Sequence, residues 1–239
     1  MSLPVINAPI YELTLPIKNE KVKYRPFTVK EQKILMIALE SEDAAFINEN
    51  IKEVIKFCCK SEVDVDALSM TDIEYFFLQL RARSIGEIIT PRYLCKNVVD
   101  DISCNNQMEC PINVLDVEVD YNGYTDIINL DSTLGLKMKH PNFDIIKSFS
   151  EDMDVMDTTS EVIANCVDYV FDFEKIYYKD EFTYKELIEW IDNLNNEQFK
   201  KIEEHFSRLP KLKKEFNIVC TKCGYEHKIV LEGLENFLA

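Results

Sequence analysis

Cys220-Thr-Lys-Cys223-Gly224 constrains this chain more than any other stretch of its sequence. Two cysteines separated by two residues, followed at once by a glycine that lets the backbone fold back, aim two thiolates at one tetrahedral ion. That is half a site. A structural zinc site needs four ligands, because an open valence leaves water on the metal and forfeits the folding energy of a closed shell. Upstream, Cys95, Cys104 and Cys110 lie in the polar tip between GEIITPRYLC and PINVLDVEV, two alternating, β-branched stretches that read as a long hairpin. Cys95 and Cys104 stand to their strands as Cys220 and Cys223 stand to theirs, so that pair completes the expected set, with Cys110 in reserve for Cys104. Two hairpins that each offer two thiolates make a zinc ribbon, here split by a long insertion. His227, on the outgoing strand, is expected to face solvent. A thiol-disulfide reaction at Cys220 and Cys223 is the weaker reading, since such a pair normally opens a helix, whereas FNIVC reads as a strand entering a turn. Cys58, Cys59 and Cys166 fall in apolar helical patterns and are expected to be packing residues.

The rest of the chemistry is narrowed by what is scarce. Five glycines among 239 residues leave almost no material for a phosphate-cradling loop or a dinucleotide fingerprint. The three histidines form no HExxH arrangement, and neither a GxSxG elbow nor a kinase element occurs. Forty-three acidic residues against 27 basic ones give a net charge of −16, which repels nucleic-acid phosphates and anionic lipid surfaces. The expectation is a protein that is not an enzyme and has neither nucleic acid nor membrane as a partner. No secretory leader is read at the N-terminus, so the cysteines are expected to stay reduced in the cytoplasm where the chain is made.

Hydrophobic periodicity then sets the architecture. Residues 10 to 24 alternate about a Lys-Asn-Glu-Lys turn, the pattern of a hairpin with one buried face. Thr28 with Glu31, and Thr71 with Glu74, read as capping boxes opening helices, and a further helix is read from about Ala44 to Lys60. Two weak strands are read over 124 to 139, and Glu151 to Asp157 is read as an acidic surface loop. Helical spacing runs from Val162 to Val170, another helix follows a Thr183 cap, and one more spans Asn196 to Arg208. The fold class expected is α+β: an N-terminal β-hairpin with helices over 1–85, a split zinc-ribbon-like β region over 86–120 and 212–239, and an inserted, mainly helical region over 121–211.

The opening APIYELTLPIKNEKVKYRPFTVKEQKILMIALESED, the segment LRARSIGEII, the paired cysteines and the closing LEGLENFL together resemble the baseplate hub assembly proteins of T-even-type (T4-like) contractile-tailed bacteriophages. The resemblance covers nearly the whole chain and is sharpest over YRPFTVKEQKILMIALE. By similarity, Cys95, Cys104, Cys220 and Cys223 match the family's paired cysteines, the same four that the spacing assigns to structural Zn2+, while Cys110 is an addition. Arg25, Pro26, Phe27, Lys30 and Glu31 match its N-terminal motif and are implied to be an element of partner binding or its framework. The resemblance implies a non-enzymatic assembly factor, made in the host cytoplasm, whose partners are other phage baseplate hub proteins. The alternative it leaves open is a permanent hub subunit of the virion tail baseplate.

Overall fold

The computed structural model describes residues 4, 6–147 and 155–237. In chain order the first elements are β1 (Tyr11–Thr14), β2 (Lys21–Tyr24), α1 (Val29–Glu40), α2 (Ala44–Cys58) and α3 (Met70–Ser84). Short strands follow: β3 (Ile88–Ile89), β4 (Arg92–Leu94), β5 (Val98–Val99), β6 (Ile102–Ser103), β7 (Gln107–Glu109), β8 (Ile112–Asn113) and β9 (Glu118–Asp120). Next come β10 (Ile127–Asn129), β11 (Gly135–Met138), α4 (Phe143–Lys147), α5 (Val155–Cys166), β12 (Val167–Phe171) and β13 (Ile176–Tyr178). The chain closes with α6 (Tyr184–Asp192), α7 (Asn196–Ser207), β14 (Lys211–Val219) and β15 (Glu226–Glu232). This is an α+β protein of helices and several small antiparallel sheets.

Two compact units divide it: one of Met1–Val65, Thr71–Asp120 and Lys211–Ala239, the other of Asp66–Met70 and Tyr121–Pro210. In the first, β1 and β2 pair with Leu13 opposite Val22, and both side chains are buried. Tyr24, 2% exposed, meets the Phe76 ring of α3 edge-on at 5.4 Å, so the hairpin's apolar face is closed by a helix. Asp72 ties the same two elements by accepting from the backbone N–H groups of Ile17 (2.8 Å) and Lys18 (3.2 Å). Both halves of the Thr28–Glu31 capping box are made, fixing where α1 begins. Thr71 is no cap, because α3 already runs from Met70 and a helical residue cannot serve as its own N-cap.

The expected long hairpin is stepped: β3 pairs with β8, β4 with β7, and β5 with β6 at the tip. Beyond it, β9 lies against β14, with Lys211 opposite Asp120, and β14 pairs along seven residues with β15. That sheet joins a strand from before the second unit to the strands that follow it.

The second unit is built on the antiparallel sheet β10-β11-β12-β13. The weak strands read over 124 to 139 are its β10 and β11. Helical spacing misled at Val167 and Val170, which belong to β12: valines three apart fit either period, and the aromatic Tyr169 and Phe171 favour a pleated strand. Gly135 is required on β11, because an added Cβ would lie 2.3 Å from the Phe171 ring and 2.7 Å from the Ile128 carbonyl. Leu130, Leu136, Met138, Ile163, Val167, Leu187, Ile191 and Ile202 bury the core between this sheet and the helices α5, α6 and α7. Thr183 and Glu186 form the expected capping box at α6. Of the loop read over Glu151 to Asp157, residues 151 to 154 lie outside the described residues, and Val155 opens α5.

A candidate metal centre

At the end of β14 the chain makes a tight knuckle. The Cys220 N–H donates to the Tyr225 carbonyl at 2.8 Å and the Gly224 N–H to the Cys220 carbonyl at 2.9 Å. Gly224 takes φ +72°, which L side chains rarely adopt, and that residue sends the chain back as β15. The turn points backbone N–H groups inward: those of Cys223 and Lys222 at the Cys220 sulfur, that of Tyr225 at the Cys223 sulfur. Both thiols are held below the ordinary range by these donors, so the knuckle favours thiolates. On the other side, the Cys95 N–H donates to the Asn106 carbonyl and the Cys104 N–H to the Asn97 carbonyl, each at 2.8 Å. The β5–β6 ribbon continues beyond the Asn97–Cys104 bond, so Cys95 and Cys104 come together at its base. Burial pushes both of these thiols up.

Sulfur atoms from the two knuckles meet. Those of Cys95, Cys104, Cys220 and Cys223 all lie within 4.8 Å of one another. Cys95 and Cys223 stand 3.7 Å apart, Cys104 and Cys220 3.8 Å. Four sulfurs at about 2.3 Å from a tetrahedral zinc ion are separated by about 3.8 Å, so the arrangement has the size of a zinc–thiolate shell and is far too open for an S–S bond of about 2.05 Å. The donor set, four soft sulfurs with three of them buried, suits zinc rather than a hard cation. Cys110 is also buried but lies outside the cluster, its thiol 4.0 Å from the Met108 carbonyl.

Three neighbouring side chains point at these sulfurs. The Asn97 carboxamide donates to Cys223 at 3.6 Å and that of Asn106 to Cys220 at 3.5 Å. His227 Nε2 lies 3.1 Å from the Cys95 sulfur. The expectation that His227 faces solvent is wrong: it is 7% exposed, its ring packed against Tyr93 and Tyr225 at 5.3 and 4.8 Å. Strand parity explains this, since His227 shares the inward face of β15 with buried Ile229. Neither asparagine stands out in a polar loop by composition; the signal was the repeated Cys-x-Asn spelling, Cys95-Lys-Asn97 and Cys104-Asn-Asn106.

Elsewhere, Cys58 and Cys166 are buried, and burial pushes each thiol up to about 11, as befits packing residues. Arg25 meets Glu31 at 3.0 Å and donates to the Pro26 carbonyl, also at 3.0 Å. Burial alone would raise the Glu31 carboxyl, but Arg25 and the Thr28 hydroxyl and N–H outweigh it and bring it to about 2. Phe27 is buried, Pro26 half-buried and Lys30 exposed.

A protein-family model described as T4 bacteriophage base plate protein matches residues 8–239. No curated protein and no solved structure matches the chain.

Proposed function

Because the chain belongs to the T4 bacteriophage base plate protein family, we propose that it is a non-enzymatic assembly factor for the central hub of the phage tail baseplate. It works in the host cytoplasm by binding other hub proteins, on a platform stiffened by one structural zinc ion. The observation that carries the platform is the convergence of four sulfurs from segments far apart in sequence, 95–104 and 220–223. Cys95, Cys104, Cys220 and Cys223 are the ligands, and zinc supplies there a closed cross-link without redox or Lewis-acid chemistry of its own. The chain's residues do the remainder: backbone N–H groups hold the thiolates, and the packed His227 ring braces Cys95.

Partner binding falls to the start of α1. The Arg25–Glu31 pair, Pro26 and Phe27 frame this segment, and Lys30 presents its charge to the surface beside it. Along the same helix Val29 (66% exposed), Met36 (53%), Ile37 (62%) and Leu39 (45%) leave apolar side chains in solvent, the kind of patch that marks a protein–protein site. With a net charge of −16, the favoured partners carry basic complementary patches.

The second reading is a permanent hub subunit, which the family's description as a base plate protein favours. Quantitative mass spectrometry of purified particles and of infected-cell lysate separates the two. An assembly factor is abundant in the lysate, co-purifies there with hub proteins and is missing from particles. A constant copy number per particle establishes the subunit instead.

A further inference from the structure

Beyond the four ligands, we propose that Asn97 and Asn106 are positioning residues that set how firmly the cysteine site retains its metal, an inference that rests on the zinc reading above. The geometry repeats. Within Cys95-Lys-Asn97 the asparagine's backbone N–H is directed at its own cysteine's sulfur, and within Cys104-Asn-Asn106 the same bond recurs. Each carboxamide then crosses to the other knuckle, Asn97 to Cys223 at 3.6 Å and Asn106 to Cys220 at 3.5 Å. Cys223 stands 3.7 Å from Cys95, and Cys220 stands 3.8 Å from Cys104. One asparagine therefore spans one sulfur pair, with its main chain on one member and its side chain on the other.

The asparagines are themselves fixed. The Asn97 carbonyl accepts from the Cys104 N–H and the Asn106 carbonyl from the Cys95 N–H, so each triplet's backbone locks the other. Asn106 Nδ2 also donates to the Thr221 hydroxyl at 3.1 Å, which orients its carboxamide toward the second knuckle. Four thiolates around a divalent ion carry an excess of two negative charges, and neutral N–H donors disperse it without competing as ligands. A carboxylate in the same place would set oxygen lone pairs against the thiolates.

Transfer of zinc from the full chain to a chromogenic chelator tests the inference, with assembly of each site followed by the absorption of the Co2+-loaded form. Asn97→Ala and Asn106→Ala each speed release about tenfold, at the low end of what outer-shell partners usually contribute. Asn97→Asp and Asn106→Asp, which keep the shape and lose the donor, release faster than the alanine variants. Lys185→Ala, which loses an exposed ion pair with Glu189 on α6, leaves the rate unchanged. Aspartate and alanine variants releasing zinc at the unaltered rate overturn the inference; if an aspartate variant does not assemble, the alanine variants decide alone. An unaltered chain that binds Co2+ without tetrahedral thiolate absorption removes the zinc reading and this inference together. Ordinary absorption with equal rates removes only the inference.

Discussion

The second unit and the cysteine end of the first solve one problem in two ways. In the second unit, segments as far apart as Ile128 and Ile202 are held by an apolar core that also takes in Leu136, Met138, Ile163 and Leu187. At roughly 1.5–3 kcal/mol for each fully buried large side chain, such a core needs no other fastening. Among the described residues, the apolar cluster at the cysteines adds just one other buried side chain, Met108, with Tyr93 and Ile218 half-covered beside it. So small a cluster cannot hold two knuckles together, and on the proposed zinc reading coordination takes over the role that packing has elsewhere. Structural zinc is worth about 10–16 kcal/mol in small metal domains, more than this handful of side chains can supply.

Metal removal is the strongest way to break that contrast. Chelation, or Cys220→Ser, should abolish amide-exchange protection over β4, β7 and the knuckle ends of β14 and β15 while β11 and β12 keep theirs. Equal loss in both units would show that the metal is not a local clamp. Next in size is Leu136→Ala in the second unit, where the side chain is fully buried. Denaturant unfolding should show a loss of about 3 kcal/mol there with zinc content unchanged.

A smaller effect separates packing from coordination within the first unit. Burial, with Glu235 nearby adding to it and the Leu234 N–H opposing, raises the Glu74 carboxyl to about 7. The folded value exceeds the free-chain value, so this group's stability is fully present at acid pH and is lost as pH rises from about 4.5 through 7. Because Glu74 is half-buried and solvent screens part of the effect, the loss is of order 2 kcal/mol, less than the roughly 3 kcal/mol of the full rise, and Glu74→Gln should flatten the profile between pH 5 and 8. Zinc-bound thiolates run the opposite way, since protons compete with the metal as pH falls. Smallest is Thr183→Ala, which removes the α6 cap and should cost about 1 kcal/mol, read as a small fall in the second unit's melting temperature alone.

What could be read beforehand was what depends on few residues at fixed spacing. Thr28 with Glu31 and Thr183 with Glu186 announce helix starts because a cap is a local hydrogen-bond device, and both boxes are made. The clustering of the four cysteines was legible for a similar reason, since a Cys-x-x-Cys knuckle with a second cysteine pair is a device of fixed spacing. Less legible was anything decided by the far side of a contact. Asn97 and Asn106 look like ordinary loop residues until the second knuckle arrives opposite them. Inward placement of His227 follows from its sharing a strand face with Ile229, yet its partner Cys95 is remote in sequence. Val167 to Phe171 carries both helical and strand periodicities, and its pairing with β11 and β13 settles the choice.

Zinc K-edge X-ray absorption on the purified full chain, with metal stoichiometry measured on the same sample, addresses the clamp directly. The account predicts one zinc per chain surrounded by four sulfurs at about 2.3 Å. A chain that folds with both knuckles protected and no metal bound, or a first shell dominated by oxygen and nitrogen, would contradict it.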